Sequence, residues 1–459
     1  MAFFYTNNIA KLDDDLVLDG NFYRPEKISI VNKINNSSSG KISDYFFEVE
    51  ELITTQMRNG IFPVINYDLP HSLGNILTLG NNINTSTDLG STKKSIKSND
   101  IIISRLRYYL KEIAIVPERG DNQVASTEYV VIRSKGNLST HILLPYLLSS
   151  NIQYIFSCLQ RGSAHPRLAN KDILSLPLPD FLKKEKDLLT QMIESVLKNY
   201  ESSLKLYPEA EQELLERLEW NNFNKKHKLS YKANINDISN NLRLDPEFYQ
   251  PKFMELASYI KKKGSIQLLD FCSEPNRGVQ PEYVENGNVL VINSKHLGTT
   301  QIDIENTERT SDTFYSDANN SKARLKKYDV LMYATGAYVG RTNVFLETEK
   351  TIASNHVTII RPNAEICNPV YLALFLNSEP GLMQTDQRAS GSAQREIYPQ
   401  EIIQYKIFIP QNKNGKPDLE WQKKLADKVI QAYEAKKEAK KKLKEAVELV
   451  EREIEKIIA

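Results

Sequence analysis

The chain carries its own sequence pattern twice, and a duplicated chain has to build two copies of one fold. Leu18-Asp19-Gly20-Asn21-Phe22-Tyr23-Arg24-Pro25 agrees with Leu244-Asp245-Pro246-Glu247-Phe248-Tyr249-Gln250-Pro251 at five of eight positions, 226 residues apart. Ala125-Ser126 and Ile132-Arg133 return 228 residues later as Ala353-Ser354 and Ile360-Arg361. Asp100, at the head of an apolar run, returns as Asp329 before Val330-Leu331-Met332; Gly162-Ser163-Ala164 returns as Gly391-Ser392-Ala393, both at an offset of 229. Val196, Tyr200 and Glu201 match Val429, Tyr433 and Glu434 at an offset of 233. Each match is weak alone. Their shared order and nearly constant offset, over half the chain, mark an internal repeat. At 459 residues the length suits two or three cores rather than one.

Both copies read as the same series of elements. An irregular stretch ends in a Phe-Tyr-x-Pro motif, and a mixed region follows with strand-like runs at 100–104, 129–132 and 289–292. A short apolar helix is expected at 142–148 and at 370–376, then the Gly-Ser-Ala loop, then a last strand ending at Pro179 or Pro410. Each copy closes on a long charged helix. In the first, Leu189, Ile193, Val196, Tyr200, Ser203, Tyr207, Ala210 and Leu214 alternate at spacings of four and three. In the second, Leu425, Val429, Ala432, Lys436, Ala439, Leu443, Ala446 and Val450 do the same. A seam recurring about every 3.5 residues and flanked by Lys and Glu is a coiled-coil pattern. The two helices are therefore expected to pair, the plainer alternative being that each packs on its own domain. Pro208 is expected to dent the first helix, because it removes a backbone donor. The Asn- and Lys-rich stretch 220–242 reads as the interdomain connection, with 7–17 as its N-terminal counterpart.

Composition enters as a constraint on chemistry. Lys+Arg 59 against Asp+Glu 58 gives a net charge of +1, which by itself favours a neutral enzyme or a scaffold over a protein that coats nucleic acid. Nucleic-acid binding then has to rest on local basic patches. Cys158, Cys272 and Cys367 form no Cys-x-x-Cys pair, no apolar run approaches bilayer length, and the N-terminus lacks a secretory pattern, so a cytoplasmic protein is expected. His71, His141, His165, His227, His296 and His356 show no metal-ligand spacing. Asn368-Pro369-Val370-Tyr371 approaches the tetrapeptide that grips an extruded adenine in amino-methyltransferases, but Val370 replaces its second proline and no cofactor loop precedes it. Gly336-Ala337-Tyr338-Val339-Gly340-Arg341-Thr342 lacks the lysine and spacing of a phosphate loop and reads as a turn between strands. Glu-x-Lys pieces at 434–436 and 438–440 lie in a Lys/Glu-rich helix where such triplets arise freely. No residue pattern proposes a reaction, a metal or a cofactor.

What recurs instead is polar and basic decoration of loops. In the first copy Arg105, Arg107, Tyr108 and Lys111 follow the Asp100 strand, and Arg161, His165, Arg167 and Lys171 surround the Gly-Ser-Ala loop. In the second, Tyr333, Tyr338 and Arg341 follow the equivalent strand, Arg388, Gln394 and Arg395 surround the equivalent loop, and Arg277, Gln280, Tyr283 and Lys295 form a further cluster with His296. Arg, Lys and Gln are side chains that reach base edges and phosphates. A framework kept in both copies with loops that differ is what two readers of different sequences require.

With these loops in place, the chain resembles the specificity subunits of type I restriction–modification systems. The resemblance spans nearly the whole length and is carried by RLDPEFYQPKF (243–253), YDVLMYATGAYVGRTNVF (328–345), YLALFLNSEPGLMQ (371–384) and GSAQREIYPQEIIQYKIFIP (391–410). The first half departs from it, since SNDIIISRLRYYLKEIAIV (98–116) lacks the strand–Gly turn. The resemblance implies an α+β fold: two tandem mixed α/β target-recognition domains separated by two long antiparallel coiled-coil helices, a pseudo-twofold internal repeat. The corresponding boundaries are target-recognition domain 1 at 1–182, a central helix at 183–221, target-recognition domain 2 at 222–416 and a C-terminal helix at 417–459. It further implies that each domain reads half of a bipartite site in double-stranded DNA, with the basic and aromatic loop residues named above at the interface. The helices set the unread spacer and dock two methyltransferase subunits, to which restriction subunits can add; methylation and cleavage then reside in those partners. Half-sites one helical turn apart lie ~34 Å from each other, within reach of a helix pair of ~45 Å. The alternatives are a non-catalytic assembly scaffold, a degenerate enzyme, or the specificity subunit of another methylation-based defence system.

Overall fold

The computed structural model describes residues 19–54, 62–85, 87–120, 122–162, 164–236, 238, 243–391 and 394–459. The stretch 7–17, Leu18 of the first Phe-Tyr-x-Pro match, Ser163, Ser392, Ala393, and 237 with 239–242 in the connecting segment lie outside the described residues. The chain divides into two compact units, 1–201 with 436–459, and 202–435.

In the first unit the Phe-Tyr-x-Pro motif is a 3-10 turn, Gly20–Tyr23, capped by the Asp19 carboxylate, which accepts the Asn21 N–H at 2.8 Å. Pro25 then opens the helix Pro25–Asn36 at a position where its missing donor is not needed. A four-stranded antiparallel sheet runs in the order Phe46–Glu48, Tyr129–Ser134, Ile101–Ser104, Ile113–Ile115. A five-stranded mixed sheet has the order Leu52–Ile53, Lys93–Ile96, Gln123–Ser126, Val64–Tyr67, Asn81–Ile83. Its Val64–Tyr67 and Gln123–Ser126 strands are parallel. Tyr67, Ile96, Ile102, Ala125, Tyr129 and Val131 join the two sheets in one core. Helices Leu143–Leu148 and Ser150–Leu159 follow, and Pro177–Pro179 returns to pair with Ser38–Lys41.

The second unit repeats this plan. The turn Pro246–Tyr249 leads into the helix Pro251–Lys263. The four-stranded antiparallel sheet has the order Asn276–Arg277, Val357–Ile360, Val330–Tyr333, Thr342–Val344. The second sheet keeps three strands, Glu308–Thr310, Val289–Ile292 and Thr351–Ala353, the last two parallel. Ser265–Gln267 pairs with Lys406–Phe408. Trp220 and Phe223, stacked 4.7 Å apart, are buried in the core of this unit, and the Trp220 indole N–H donates to Glu379 at 2.6 Å. The start of the 220–242 stretch is therefore part of a folded core, because two large rings bury more apolar area than its Asn and Lys content suggests.

The repetition reaches single bonds. Arg133 donates from Nε and Nη2 to Asp100 at 2.7 and 2.7 Å, and Arg361 makes the same pair of bonds to Asp329 at 2.8 and 2.7 Å. Each carboxylate also accepts a turn N–H, from Lys97 and from Lys326. Asn99 and Tyr328, just before these aspartates, are both left-handed, at φ 69° and 73°. The Tyr146 hydroxyl donates to the Pro177 carbonyl at 2.6 Å and that of Tyr371 to Phe408 at 2.7 Å. His71 and His296 accept the backbone N–H of Asp68 and Asn293 at Nδ1, 2.9 and 3.0 Å away, closing equivalent 3-10 turns.

The long helices are Lys186–Arg217 and Leu419–Ile458. Their seams are buried: Leu189, Ile193 and Val196 with Ala439, Leu443, Ala446 and Val450 in the first unit, Ala210 and Leu214 with Leu425 and Val429 in the second. They run antiparallel. Lys442 donates to Ser195 at 2.6 Å, whereas Lys424 donates to Glu213 at 2.8 Å, so numbers rise along one helix as they fall along the other. The first helix continues through Pro208, which removes one backbone donor from it. The proline is exposed and the next residues inward, Ala210 and Leu214, are fully buried, so seam packing outweighs one missing bond to the Leu204 carbonyl.

Candidate nucleic-acid interface

Asp100 and Asp329 each anchor the start of a strand whose far end runs into a tight connection. In the first unit Ile101–Ser104 passes to Ile113–Ile115 through the 3-10 turn Tyr108–Leu110, with Arg107 and Lys111 left-handed on either side at φ 52° and 51°. In the second, Val330–Tyr333 passes to Thr342–Val344 through Gly336 and Gly340, at φ 131° and 93°. The offset of 229 places Arg107 on Gly336 and Lys111 on Gly340. The first half therefore keeps the turn that its sequence seemed to lack, built with two cations where the second half uses glycine. Glycine is required in the second half, where a Cβ on Gly340 would stand 2.6 Å from the Thr385 side chain. A non-glycine residue held left-handed carries about 1 kcal/mol or more of strain, and such strain gathers at functional sites.

The Gly-Ser-Ala loops are tied to these turns. Bridges link Leu106 and Arg161 to Arg167, and Thr335 and Ser390 to Glu396. Arg105 takes the Leu168 N–H at 3.0 Å, and the Gly336 N–H donates to Arg395 at 2.9 Å. Each unit thus brings two of its sequence-predicted loops onto one surface.

On that surface the arginines are held by carboxylates. Arg167 makes a bidentate pair with Glu128, its Nη2 2.8 Å away, and Arg105 approaches the same carboxylate at 3.5 Å. Arg167 holds the Glu128 carboxyl below its ordinary value. Arg161 donates to both oxygens of Asp172 at 3.0 and 2.9 Å. In the second unit Arg277 donates to Glu396 at 2.6 Å and lies over the Tyr398 ring, while Thr335 and the Tyr398 hydroxyl bond the same carboxylate. Hydrogen bonds from Tyr398 and then from Arg277 lower the Glu396 carboxyl, against the opposing effect of burial. Arg388 pairs with Glu401 at 2.9 Å and Arg395 with Asp386 at 2.9 Å. Partly exposed pairs of this kind contribute little stability; what they supply is orientation, in a form that a phosphate oxygen can replace.

Among the other predicted residues, Arg107, Lys111, His165, Lys171, Gln280 and Gln394 are exposed. Tyr108 is half-buried beside Tyr109. Tyr283 is 51% exposed and its hydroxyl accepts from Asn293 at 3.2 Å; Lys295 pairs with Glu308. Arg341 lies 4.0 Å from the Tyr338 ring centroid and donates to the Leu297 carbonyl, beside the turn that carries Lys295. Tyr333 meets Tyr338 edge to face at 6.2 Å. Residue-type reasoning passed over Glu128 and Glu396, because acidic loop residues carry no positive signal for a polyanion, and over Tyr398, whose part lies in its bond to Glu396. It also chose Tyr108 over Tyr109, although the 229 offset, applied strictly, pairs Tyr338 with Tyr109.

Asn368 is a helix cap, its side chain accepting the N–H groups of Val370 and Tyr371 at 2.9 and 3.3 Å. Among the described residues no group of three or more His, Cys, Asp or Glu gathers to hold a metal, and no single helix is long and apolar enough to cross a membrane. Residues 275–449 match the family model described as the type I restriction modification DNA specificity domain. No curated protein matches the chain. Several solved structures are similar to it, three of them as follows. One, described as the structural basis underlying complex assembly and conformational transition of the type I R-M system, is 18% identical, with a TM-score of 0.31 over 91% of this chain and 96% of that one. The HsdS subunit from Thermoanaerobacter tengcongensis is 17% identical, with a TM-score of 0.29 over 91% and 95%. The type I restriction–modification S subunit from M. genitalium is 12% identical, with a TM-score of 0.45 over 92% and 97%.

Proposed function

From the match of residues 275–449 to the type I restriction modification DNA specificity domain, we propose that the whole chain is the sequence-reading subunit of a type I restriction–modification complex. The observation that carries this is the repetition of that domain in the first half, down to the Asp100–Arg133 and Asp329–Arg361 pairs. Two copies of one reader in one chain call for a target in two parts. Target-recognition domains at 1–182 and 222–416 each take one half-site of double-stranded DNA, with the arginine-bearing loops and their strand-joining turns at the groove. The helices at 183–221 and 417–459 set the spacer and present equivalent surfaces to two methyltransferase subunits, to which restriction subunits add. Methylation and cleavage belong to those partners, which share the phosphate contacts that a net charge of +1 leaves short, and the complex works in the cytoplasm.

The test is methylation mapping of a genome in which the chain is co-produced with its methyltransferase. One bipartite motif with a fixed unread spacer is expected. A continuous motif, or no sequence-selective methylation, overturns the two-reader assignment.

A further inference from the structure

The two strand-joining turns differ at four of five positions, Arg107-Tyr108-Tyr109-Leu110-Lys111 against Gly336-Ala337-Tyr338-Val339-Gly340, and the residue they keep is a tyrosine that the fold exposes. Tyr109 is 61% exposed and Tyr338 57%. Neither ring sits on a loose loop. The Leu110 N–H donates to Arg107 and the Lys111 N–H to Tyr108, both at 2.8 Å, and the Asn75 amide holds the carbonyls of Lys111 and Ile113. In the second unit the Gly340 N–H donates to Tyr333 at 2.9 Å and the Arg341 N–H to Tyr338 at 3.1 Å. Each ring is braced edge-on by a second tyrosine, Tyr108 at 5.9 Å and Tyr333 at 6.2 Å. Each has cations beside it, Arg107 and Lys111 in one turn and Arg341, 4.0 Å from the ring, in the other. The next residue in the chain is apolar in both, Leu110 and Val339, the latter packed against the core of its unit.

A rigid, exposed, amphipathic ring among cations suits a nucleic-acid partner, since every base offers a π-face whatever its identity. That tolerance accounts for the pattern of retention. Residues that read base edges have to differ between two half-sites of different sequence, whereas a stacking residue can stay the same in both. Resting on the DNA reading above, we propose that Tyr109 and Tyr338 are wedge residues. Each packs its ring against the bases of the half-site read by its own unit and opens one base-pair step, with the neighbouring cations on the flanking phosphates.

The test uses the full chain assembled with its methyltransferase subunits and a duplex carrying the mapped target, with 2-aminopurine placed at successive steps of each half-site. Binding is expected to raise the fluorescence at one step per half-site. Tyr109→Ala abolishes the rise in one half only and weakens binding about ten-fold; Tyr338→Ala does the same in the other half, and Tyr109→Phe keeps both. Selective binding with unaltered fluorescence, or alanine variants indistinguishable from the parent, overturns the wedge and leaves the DNA reading intact. So does weakened assembly with the methyltransferase, which marks a protein contact. Absence of any selective binding by the parent complex overturns the reading itself, and the wedge with it. Both tyrosines are largely solvent-exposed, so thermal melting of the variants is expected to match the parent.

Discussion

At the scale of single residues, the carboxylates decide how many cations the proposed DNA face can offer. Glu128 holds Arg167 and Arg105, and Glu396 holds Arg277, so these guanidiniums are oriented but partly neutralised. Glu128→Gln removes the charge and leaves a side chain of the same shape. DNA binding is then expected to strengthen at low salt, with a slope of log K against log salt steeper by about one for each arginine released to a phosphate. A titration of binding against salt concentration checks this, and an unchanged slope means that these arginines never meet the backbone. The same carboxylate has a pH signature. Arg167 lowers its folded-state value, so its small contribution to stability is present above the unfolded value and is lost as pH falls through the lowered folded one. The variant lacks that step on the acid limb.

At the scale of elements, what was legible depended on how local the signal is. The seams of the two long helices follow from a period of a few residues, and every first-helix position from Leu189 to Val196 in that pattern is buried. The repeat was legible too, because Asp100 and Asp329 head runs of apolar residues. The second sheet of each unit was legible only in the Val289–Ile292 strand. Val64–Tyr67 and Asn81–Ile83 are four and three residues long, and their pairing, parallel to Gln123–Ser126 on one side, is set by partners far away in sequence. The capping histidines and the carboxylate partners were missed for the same reason, since their meaning lies in a contact rather than in a spacing. Pro208 shows local propensity overruled by packing. Its replacement tests that account: Pro208→Ala restores one helix bond at an exposed position, leaves no cavity, and is expected to stabilise the chain by about 1–3 kcal/mol in urea unfolding. A lower midpoint shows instead that the proline is needed where it stands.

At the scale of the whole molecule, the proposed division of labour separates what is read from how far apart it is read. The loops belong to the units, while both long helices pass from one unit to the other, near Glu201 and near Lys436. A change confined to those crossings therefore alters neither reading surface. Seven residues inserted in one helix alone would keep its seam in phase but leave two turns without a partner on the other helix. The same insertion made in both, after Glu201 and before Lys436, keeps the heptad and lengthens each helix by about 10 Å at ~1.5 Å per residue. Along DNA that is about three base pairs at ~3.4 Å each. Methylation mapping with the doubly extended chain is expected to return the same two half-sites with a spacer three base pairs longer. If the spacer stays as it was, the helices do not measure it; if the half-sites change, the reading surfaces extend into the helices. A longer spacer with unaltered half-sites is the outcome that only a ruler coupled to two independent readers produces.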